Sequence, residues 1–308
     1  MVKAQDKRRP VAAPVAAIGN FDGVHRGHQQ LLKKTIAFAR KIHGVPAAIV
    51  FDPHPRRYFR PDDPPFLLTT PAQREALLHK AGAERVITLT FDASLAALTP
   101  EAFVGDVLKG KLGLSGVVTG TEFRFGKGRS GDAEGLKALC EAAGIEVLLV
   151  TPTTDGPDGE KVGSTAIRTA ISEGDVRSAA EMLGRPWVVE GEVITGQKLG
   201  RTIGFPTANM TLGELVEPRH GVYAVIANVK GRDVMGVANY GRKPTVGAAA
   251  PFLETYLFDF EGDLYGETIA VAFMDFIRDE RKFAGLDELK AQIAADCRAA
   301  RHLLTHPR

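Results

Sequence analysis

Short apolar runs punctuate the first half of the chain. Residues 15–18, 47–51, 86–89, 117–119 and 146–150 are brief and flanked by polar segments, as buried strands are. Between them, 29–42, 71–81, 100–111 and 132–143 read as helices, with Pro71 near a first turn and Gly82 at a stop. Strands alternating with helices predict a parallel sheet covered on both faces. A polar loop over 151–161 follows, then two helices in succession, 165–172 and 175–183, ended by Gly184 and Pro186. After Trp187 the period changes. Residues 188–194, 222–229, 234–238, 254–260 and 268–273 are strand-like, and Lys230-Gly231-Arg232-Asp233 reads as a hairpin turn. That pattern predicts an antiparallel barrel, followed by a helix over 287–304 with Leu289, Ile293, Cys297 and Ala300 on its apolar stripe. The expected division is 1–184 and 185–308.

Composition narrows the function classes. The chain has 308 residues, with 39 Lys and Arg against 37 Asp and Glu, a net charge of +2. Its 44% hydrophobic and 25% charged residues exclude wholesale disorder. The near-neutral balance disfavours nucleic acid as a partner and supplies no polybasic membrane signal. Lys7-Arg8-Arg9 ahead of the apolar run 11–18 imitates a secretory signal. That run is short, contains Pro14 and leads into a glycine-rich turn, so it reads as a first buried strand. No stretch approaches the roughly 18 apolar residues of a membrane span. Cys140 and Cys297 form no CxxC or zinc pattern, consistent with a reducing, cytoplasmic compartment.

The segment Gly19-Asn20-Phe21-Asp22-Gly23-Val24-His25-Arg26-Gly27-His28 falls between the first strand and the first helix. Ligands of open parallel sheets bind at the carboxyl ends of strands, and helix N-termini there attract phosphate. His25 and His28 are three residues apart, so both imidazoles can face one ligand. A donor aimed at a phosphoryl oxygen stabilises the charge that builds during displacement. A bland alternative is that the two histidines only cap the turn or bond each other. Two other glycine motifs are set aside. Gly126-Lys127-Gly128-Arg129-Ser130-Gly131 fits GxGxxG, but away from the first strand–helix turn. Gly105 to Leu112 nearly fits a phosphate loop, but Leu112 replaces the Ser or Thr that such a loop needs, and the stretch reads as helix.

The Gly19–His28 string resembles nucleotidyltransferases with an HxGH signature, and in particular the adenylyltransferase half of bacterial bifunctional riboflavin kinase/FAD synthetases. Phe51-Asp52-Pro53-His54-Pro55 resembles that family's FDPHP element. Gly120-Thr121-Glu122-Phe123-Arg124-Phe125-Gly126 resembles G-x-(D/N)-F-x-F-G, with Glu122 in place of the shorter side chain. Ser164-Thr165-Ala166-Ile167-Arg168 resembles S-T-x-I-R, with Gly163 where a second Ser is common. The resemblance implies a Rossmann-like domain, nucleotide contacts at Gly19, Asn20, Phe21, Gly27, Ser164, Thr165 and Arg168, and flavin contacts at Phe51, His54, Glu122 and Phe123. In that reading His25 and His28 are catalytic.

The densest motif runs from Gly191 to Asn209, GEVITGQKLGRTIGFPTAN. Glycines in such a loop free backbone N–H groups for an anion. Thr207 and Asn209, two apart in an extended segment, point the same way, and their oxygens suit a hard cation such as Mg²⁺. A glycine-rich barrel corner is the plain alternative. The string resembles the riboflavin kinase signature at every fixed position, and further elements follow in order. They are Gly221-Val222-Tyr223, Gly236 to Thr245, Glu254-Thr255-Tyr256, Asp263 to Gly266 and Ile277 to Phe283. The resemblance implies a β-barrel kinase domain with Glu254 as general base. It also implies nucleotide contacts at Gly196, Gly200, Arg201 and Gly204, Mg²⁺ at Thr207 and Asn209, and flavin contacts at Arg278 and Phe283.

The expectation is a two-domain enzyme of FAD biosynthesis that uses ATP with Mg²⁺, riboflavin and FMN. Its partners are small molecules, with no nucleic acid and no membrane. Rival readings are another HxGH transferase fused to an unrelated barrel, a flavin-binding regulator with one dead site, and nucleic-acid binding through the barrel.

Overall fold

The computed structural model describes residues 12–151, 162–195, 204–241 and 251–306. These pack as two compact units. The first holds residues up to Asp63 and from Pro71 to Thr151. The second holds Pro64–Thr70 and the described residues from Val162 onward.

The first unit is built on a five-stranded parallel sheet in the order β3-β2-β1-β4-β5. Its strands are β1 (Pro14–Ile18), β2 (Val45–Asp52), β3 (Arg85–Thr90), β4 (Gly116–Gly120) and β5 (Glu146–Val150). β1 is buried throughout. Ala16 and Ile18 face one core with Val117 and Leu136, while Val15 and Ala17 face the opposite side with Ala39 and Leu32. Burial on both faces explains the unbroken apolar run. The order reverses beside β1, where β2 departs to one side and β4 to the other, and such a switch point opens a ligand crevice. Helix α1 (Arg26–Lys41) follows β1, α2 (Pro55–Phe59) and α3 (Pro71–Lys80) follow β2, α4 (Ala93–Ala96) follows β3, and α6 (Ala133–Ala142) precedes β5.

The 100–111 expectation holds in position but not in form. A short α5 (Pro100–Ala102) passes into a π-helix over Phe103–Lys111. A Cβ at Gly110 would stand 3.1 Å from the Gly105 carbonyl, so glycine permits the wide turn. The near-phosphate-loop string therefore lies inside a helix.

The second unit opens with α7 (Ser164–Glu173) and α8 (Val176–Leu183), which end at Gly174 and Gly184 in left-handed conformation. Their apolar faces, including Ile167, Ile171, Ala179 and Leu183, share one core with Trp187, Val189 and Tyr223. In packing, then, both helices belong with the antiparallel sheet. That sheet has the order β6-β11-β8-β9-β10-β7. Its strands are β6 (Trp187–Glu192), β7 (Thr207–Met210), β8 (Gly221–Val229), β9 (Arg232–Gly241), β10 (Phe252–Leu257) and β11 (Thr268–Asp279). The sequence pattern marks β7 only as an extended segment of the glycine-rich motif. The two outer strands approach each other at an Ile194–Asn209 bridge, where the Ile194 N–H donates to the Asn209 carbonyl at 2.8 Å. The sheet curls into a barrel closed at that bridge. Helix α9 (Leu286–Thr305) lays Cys297, Ala300 and Leu304 on Val222, Ala224 and Val237. Pro64–Thr70 joins this unit through a Leu67–Leu215 bridge and a bond from Trp187 Nε1 to the Leu68 carbonyl at 3.0 Å.

Candidate active sites

In the first unit the chain leaves β1 through a tight turn. Phe21 (φ 52°), Gly23 (φ 82°) and Val24 (φ 41°) take left-handed conformations, and the Val24 N–H closes on the Phe21 carbonyl at 3.0 Å. This swings His25 to the N-cap of α1, where its Nδ1 accepts the His28 N–H at 3.4 Å. The two imidazoles stack, with centroids 3.6 Å apart and planes 20° apart. Phe21 is fully buried and props the His28 ring from 5.0 Å, so its side chain supports the histidine, and a ligand could meet only its backbone. As the plain alternative expects, His25 caps the turn and the two rings stack. His28 Nδ1 has no hydrogen-bond partner. Burial, with the neighbouring His25 adding to it, holds the His28 pKa well below its ordinary value, so the ring is neutral at pH 7. No acidic residue occupies the first turn of α1, which leaves its dipole open to an anion. Gly19 and Gly27 are half-buried and Asn20 is exposed along the same turn.

The adjacent strand ends complete this edge of the sheet. Phe51 closes β2 in the core. Asp52-Pro53 is a cis peptide, and His54 caps α2 by accepting the Arg56 N–H at 3.1 Å. Phe91, beyond β3, meets Phe51, Tyr58 and Phe59 edge-on at 5.9, 5.4 and 5.7 Å. Phe59 is 64% exposed, a large apolar ring presented to solvent. Motif reading missed Tyr58, Phe59 and Phe91, although the aromatic pair just after FDPHP was a visible signal. Past β4, Phe123 stacks on Phe125 at 5.8 Å, and Glu122 is exposed. The termini of β1, β2 and β4, which are neighbours in the sheet, thus bring His25, His28, Phe51, His54, Glu122 and Phe123 to one edge.

Ser164, Thr165 and Arg168 belong to the second unit. Ser164 and Thr165 open α7, the first half-buried and the second exposed. Arg168 Nε donates to the Phe66 carbonyl at 2.7 Å, and its guanidinium lies 5.5 Å from the Phe66 ring centroid. One structural task of Arg168 is therefore to hold the Pro64–Thr70 segment.

On the barrel, register sets the second site. Glu254 on β10 lies directly opposite Asn209 on β7 and Asn239 on β9, and Tyr256 lies opposite Thr207. Alternation puts Glu254, Tyr256, Thr207 and Asn209 on one face, while Leu253 and Leu257 point into the core. Asn209 Nδ2 donates to the Thr207 carbonyl at 3.2 Å and approaches its Oγ1 at 3.5 Å. With its NH₂ so engaged, Asn209 keeps its amide oxygen as an acceptor beside the Thr207 hydroxyl. A cleft continues from these two residues between Val193, Leu257, Phe260, Leu264 and Tyr265, with Thr255 on its wall. Thr255 is fully buried and its Oγ1 has no partner. Phe205 meets Tyr256 edge-on at 5.4 Å. Gly204 takes a left-handed φ of 88°. Gly196, Gly200 and Arg201 lie outside the described residues.

Arg278 is committed elsewhere in its own unit. Its Nε and Nη2 grip the Asp296 carboxylate at 2.9 and 2.6 Å, and Nη1 donates to the Asp279 carbonyl at 2.8 Å. Asp296 is only 4% exposed and Arg278 is half-buried, and the pair clamps β11 to α9. Phe283 packs under Arg281 at 4.8 Å and beside Arg278 at 5.9 Å. Among the described residues, no group of three or more His, Cys, Asp or Glu side chains could hold a metal, and no helix is long and apolar enough to cross a membrane.

A FAD synthetase family model matches residues 8–166, and a riboflavin kinase family model matches residues 183–304. The chain belongs to the bifunctional riboflavin kinase/FAD synthetase family. It is 40% identical over 301 residues to the bifunctional riboflavin kinase/FMN adenylyltransferase of Escherichia coli K12, covering 97% of this chain and 96% of that one. Identity to the enzyme of the same name from Pseudomonas fluorescens is 41% (94% and 92% covered), and to that of Bacillus subtilis 37% (92% and 90%). A solved structure described as a macrolide-efflux protein from Streptococcus pneumoniae superposes with a TM-score of 0.85 at 33% identity, covering 96% of each chain. The HxGH turn falls within the first match, and Glu254, Thr207 and Asn209 within the second.

Proposed function

We propose that this chain makes FAD from riboflavin in two steps, each at its own site. The kinase site transfers the γ-phosphoryl of ATP to the riboflavin 5′-hydroxyl, giving FMN and ADP. The adenylyltransferase site lets the FMN phosphate attack the α-phosphorus of a second ATP, giving FAD and pyrophosphate. The observation that carries this reading is that one chain holds both a stacked histidine pair at a helix N-terminus and a glutamate set in register against Asn209.

At the kinase site Glu254 takes the hydroxyl proton as the phosphoryl group arrives. Thr207 and Asn209 present neutral hard oxygens on the same face, a donor set that fits Mg²⁺ when phosphate oxygens complete the shell. Bound there, Mg²⁺ would neutralise charge on the ATP phosphates. The cleft beyond Asn209, with Phe260, Leu264 and Tyr265 beside Asp263, suits the nucleoside, with the unpaired Thr255 hydroxyl available to a polar edge. Gly196, Gly200, Arg201 and Gly204 cover the phosphates. Phe283 faces the flavin, and Arg278, held by Asp296, fixes the wall on which Phe283 packs.

At the adenylyltransferase site His25 and His28 donate to the α-phosphoryl oxygens as charge accumulates. Gly19, Asn20, Phe21 and Gly27 bring backbone close to the nucleotide, and Ser164, Thr165 and Arg168 serve its phosphates. The Phe51–Tyr58–Phe59–Phe91 cluster, with His54, Glu122 and Phe123, receives the isoalloxazine. The substrate phosphate is itself the nucleophile, so no covalent enzyme intermediate is needed. We place the functional division near Gly184 and the enzyme in the cytoplasm, where the free thiols of Cys140 and Cys297 are compatible with reducing conditions. Incubation with riboflavin, ATP and Mg²⁺, followed by chromatography of the flavins, tests the reading. FMN followed by FAD is expected, and the absence of both would overturn it.

A further inference from the structure

The structure assigns Arg74 as a positioning residue for adenylyl transfer, a guanidinium that locks the HxGH turn to the end of β2. The inference rests on the adenylyltransferase reading of that edge. Arg74 sits on α3, where it and Leu78, four residues apart, are the buried side chains of the helix. An arginine therefore occupies a position that an apolar side chain would normally fill. It is 5% exposed. Its Nη1 donates to the Asn20 carbonyl at 3.3 Å and its Nη2 to the Phe51 carbonyl at 3.2 Å.

Those two carbonyls lie just where the β1–β2 ladder ends. The Gly19 N–H takes the Ile49 carbonyl at 3.2 Å. The next β2 carbonyl on the same side is that of Phe51, two residues on, because successive carbonyls alternate sides along a strand. By then the chain has turned away from β1 toward His25, and Arg74 supplies the donor that a continuing strand would have supplied. A single planar fork thus ties the turn ahead of α1 to the segment that leads into His54. Burial lowers the Arg74 pKa, and the nearby carboxylates of Asp52 and Asp22 oppose that effect, so the cation remains charged in place. Its Nε is buried without a partner. The group thus tolerates an unpaired donor while serving two site loops.

Arg74 touches no reacting atom in this account. It acts through the backbone that aims His25 and His28, and a misplacement of about 1 Å at such a site costs roughly 100-fold in rate. The test compares Arg74→Met, Arg74→Lys and His28→Ala in the full chain, with FMN adenylylation and riboflavin phosphorylation assayed separately. Arg74→Met should lower kcat for FMN adenylylation by about 10- to 100-fold while KM for ATP and FMN changes less than about threefold and riboflavin phosphorylation stays at the wild-type rate. Arg74→Lys keeps the charge and reaches one carbonyl, and should recover part of the loss. A wild-type kcat in Arg74→Met beside an inactive His28→Ala would overturn the role of Arg74 alone. A kcat loss that follows the unfolded fraction, measured by thermal melting and equal in the Lys and Met variants, would reduce Arg74 to a structural residue and overturn the proposal. Full FAD formation by His28→Ala would instead overturn the site reading beneath it.

Discussion

Removing the His28 imidazole should stop the pathway at FMN. The ring is stacked at 3.6 Å on His25, propped by Phe21, and neutral because burial and His25 both oppose its protonation. A neutral ring donates one hydrogen bond to a phosphoryl oxygen, and loss of one such preorganised donor costs about 2.7–4 kcal/mol, or 100- to 1,000-fold in kcat. His28→Ala leaves the His25 cap intact, since the accepted donor is the backbone N–H of residue 28. His25→Ala removes both the ring and the cap, adding about 1 kcal/mol of helix destabilisation. Because the rings stack, the double variant should lose less than the sum of the two single losses. The assay follows riboflavin, FMN and FAD by chromatography over time with ATP and Mg²⁺, so the kinase step in the same tube reports on folding. His28→Ala should accumulate FMN at the wild-type rate and yield FAD at least 100-fold more slowly. FAD formed from riboflavin at the wild-type rate would refute the assignment.

The complementary variant is Glu254→Gln. It keeps the shape beside Asn209 but removes the base, so riboflavin phosphorylation should fall by about 100- to 10,000-fold while supplied FMN is still adenylylated. Gly236→Ala would put a Cβ 2.5 Å from the Tyr256 carbonyl, a backbone atom, and should weaken the β9–β10 pairing by about 1–3 kcal/mol, read by urea unfolding and by a selective loss of kinase activity. Trp187→Phe would remove the indole donor to the Leu68 carbonyl, lowering stability by about 0.5–1.5 kcal/mol in the same assay. The fourth concerns pH. The folded His28 pKa lies below the unfolded value of about 6.5, so between the two the unfolded chain binds the extra proton. Its stabilising contribution is complete above about pH 6.5 and is lost as pH falls toward the folded pKa. The melting-temperature difference between wild type and His28→Ala should shrink from pH 8 to pH 5. A constant difference would refute the neutral ring.

The layers of the fold were legible wherever one periodicity ruled. Alternating apolar runs gave the parallel strands, and glycines at 174 and 184 marked helix ends that the structure closes in left-handed conformation. What could not be read was set by distant packing. Nothing local indicates that Pro64–Thr70, within the first half of the chain, pairs with Leu215 and caps Trp187 in the second unit. Nor does the pattern show that α7 and α8 share the barrel's core. The histidine pair was visible from spacing because three residues span one helical turn. The Arg278 role was not, because its partner Asp296 is 18 residues away on a helix whose apolar stripe gave no hint of a buried carboxylate. Tyr58, Phe59 and Phe91 escape a motif reading because their cluster joins α2 to the segment after β3, more than 30 positions further along the chain.

In the proposed mechanism, the groups that meet developing or phosphate charge at His28, Thr207 and Asn209 carry no charge of their own. His28 is kept neutral by its surroundings, and Thr207 and Asn209 offer a hydroxyl and an amide. An imidazolium or a lysine would grip ATP and its products alike, and uniform binding of that kind lowers KM without raising kcat. A neutral donor held at a fixed angle contributes most as charge develops on the phosphorus, so its worth depends on position more than on net charge. The buried Arg74 and the half-buried Arg278 instead donate to backbone carbonyls and to Asp296. Both arginines hold the frame on which the proposed site residues sit.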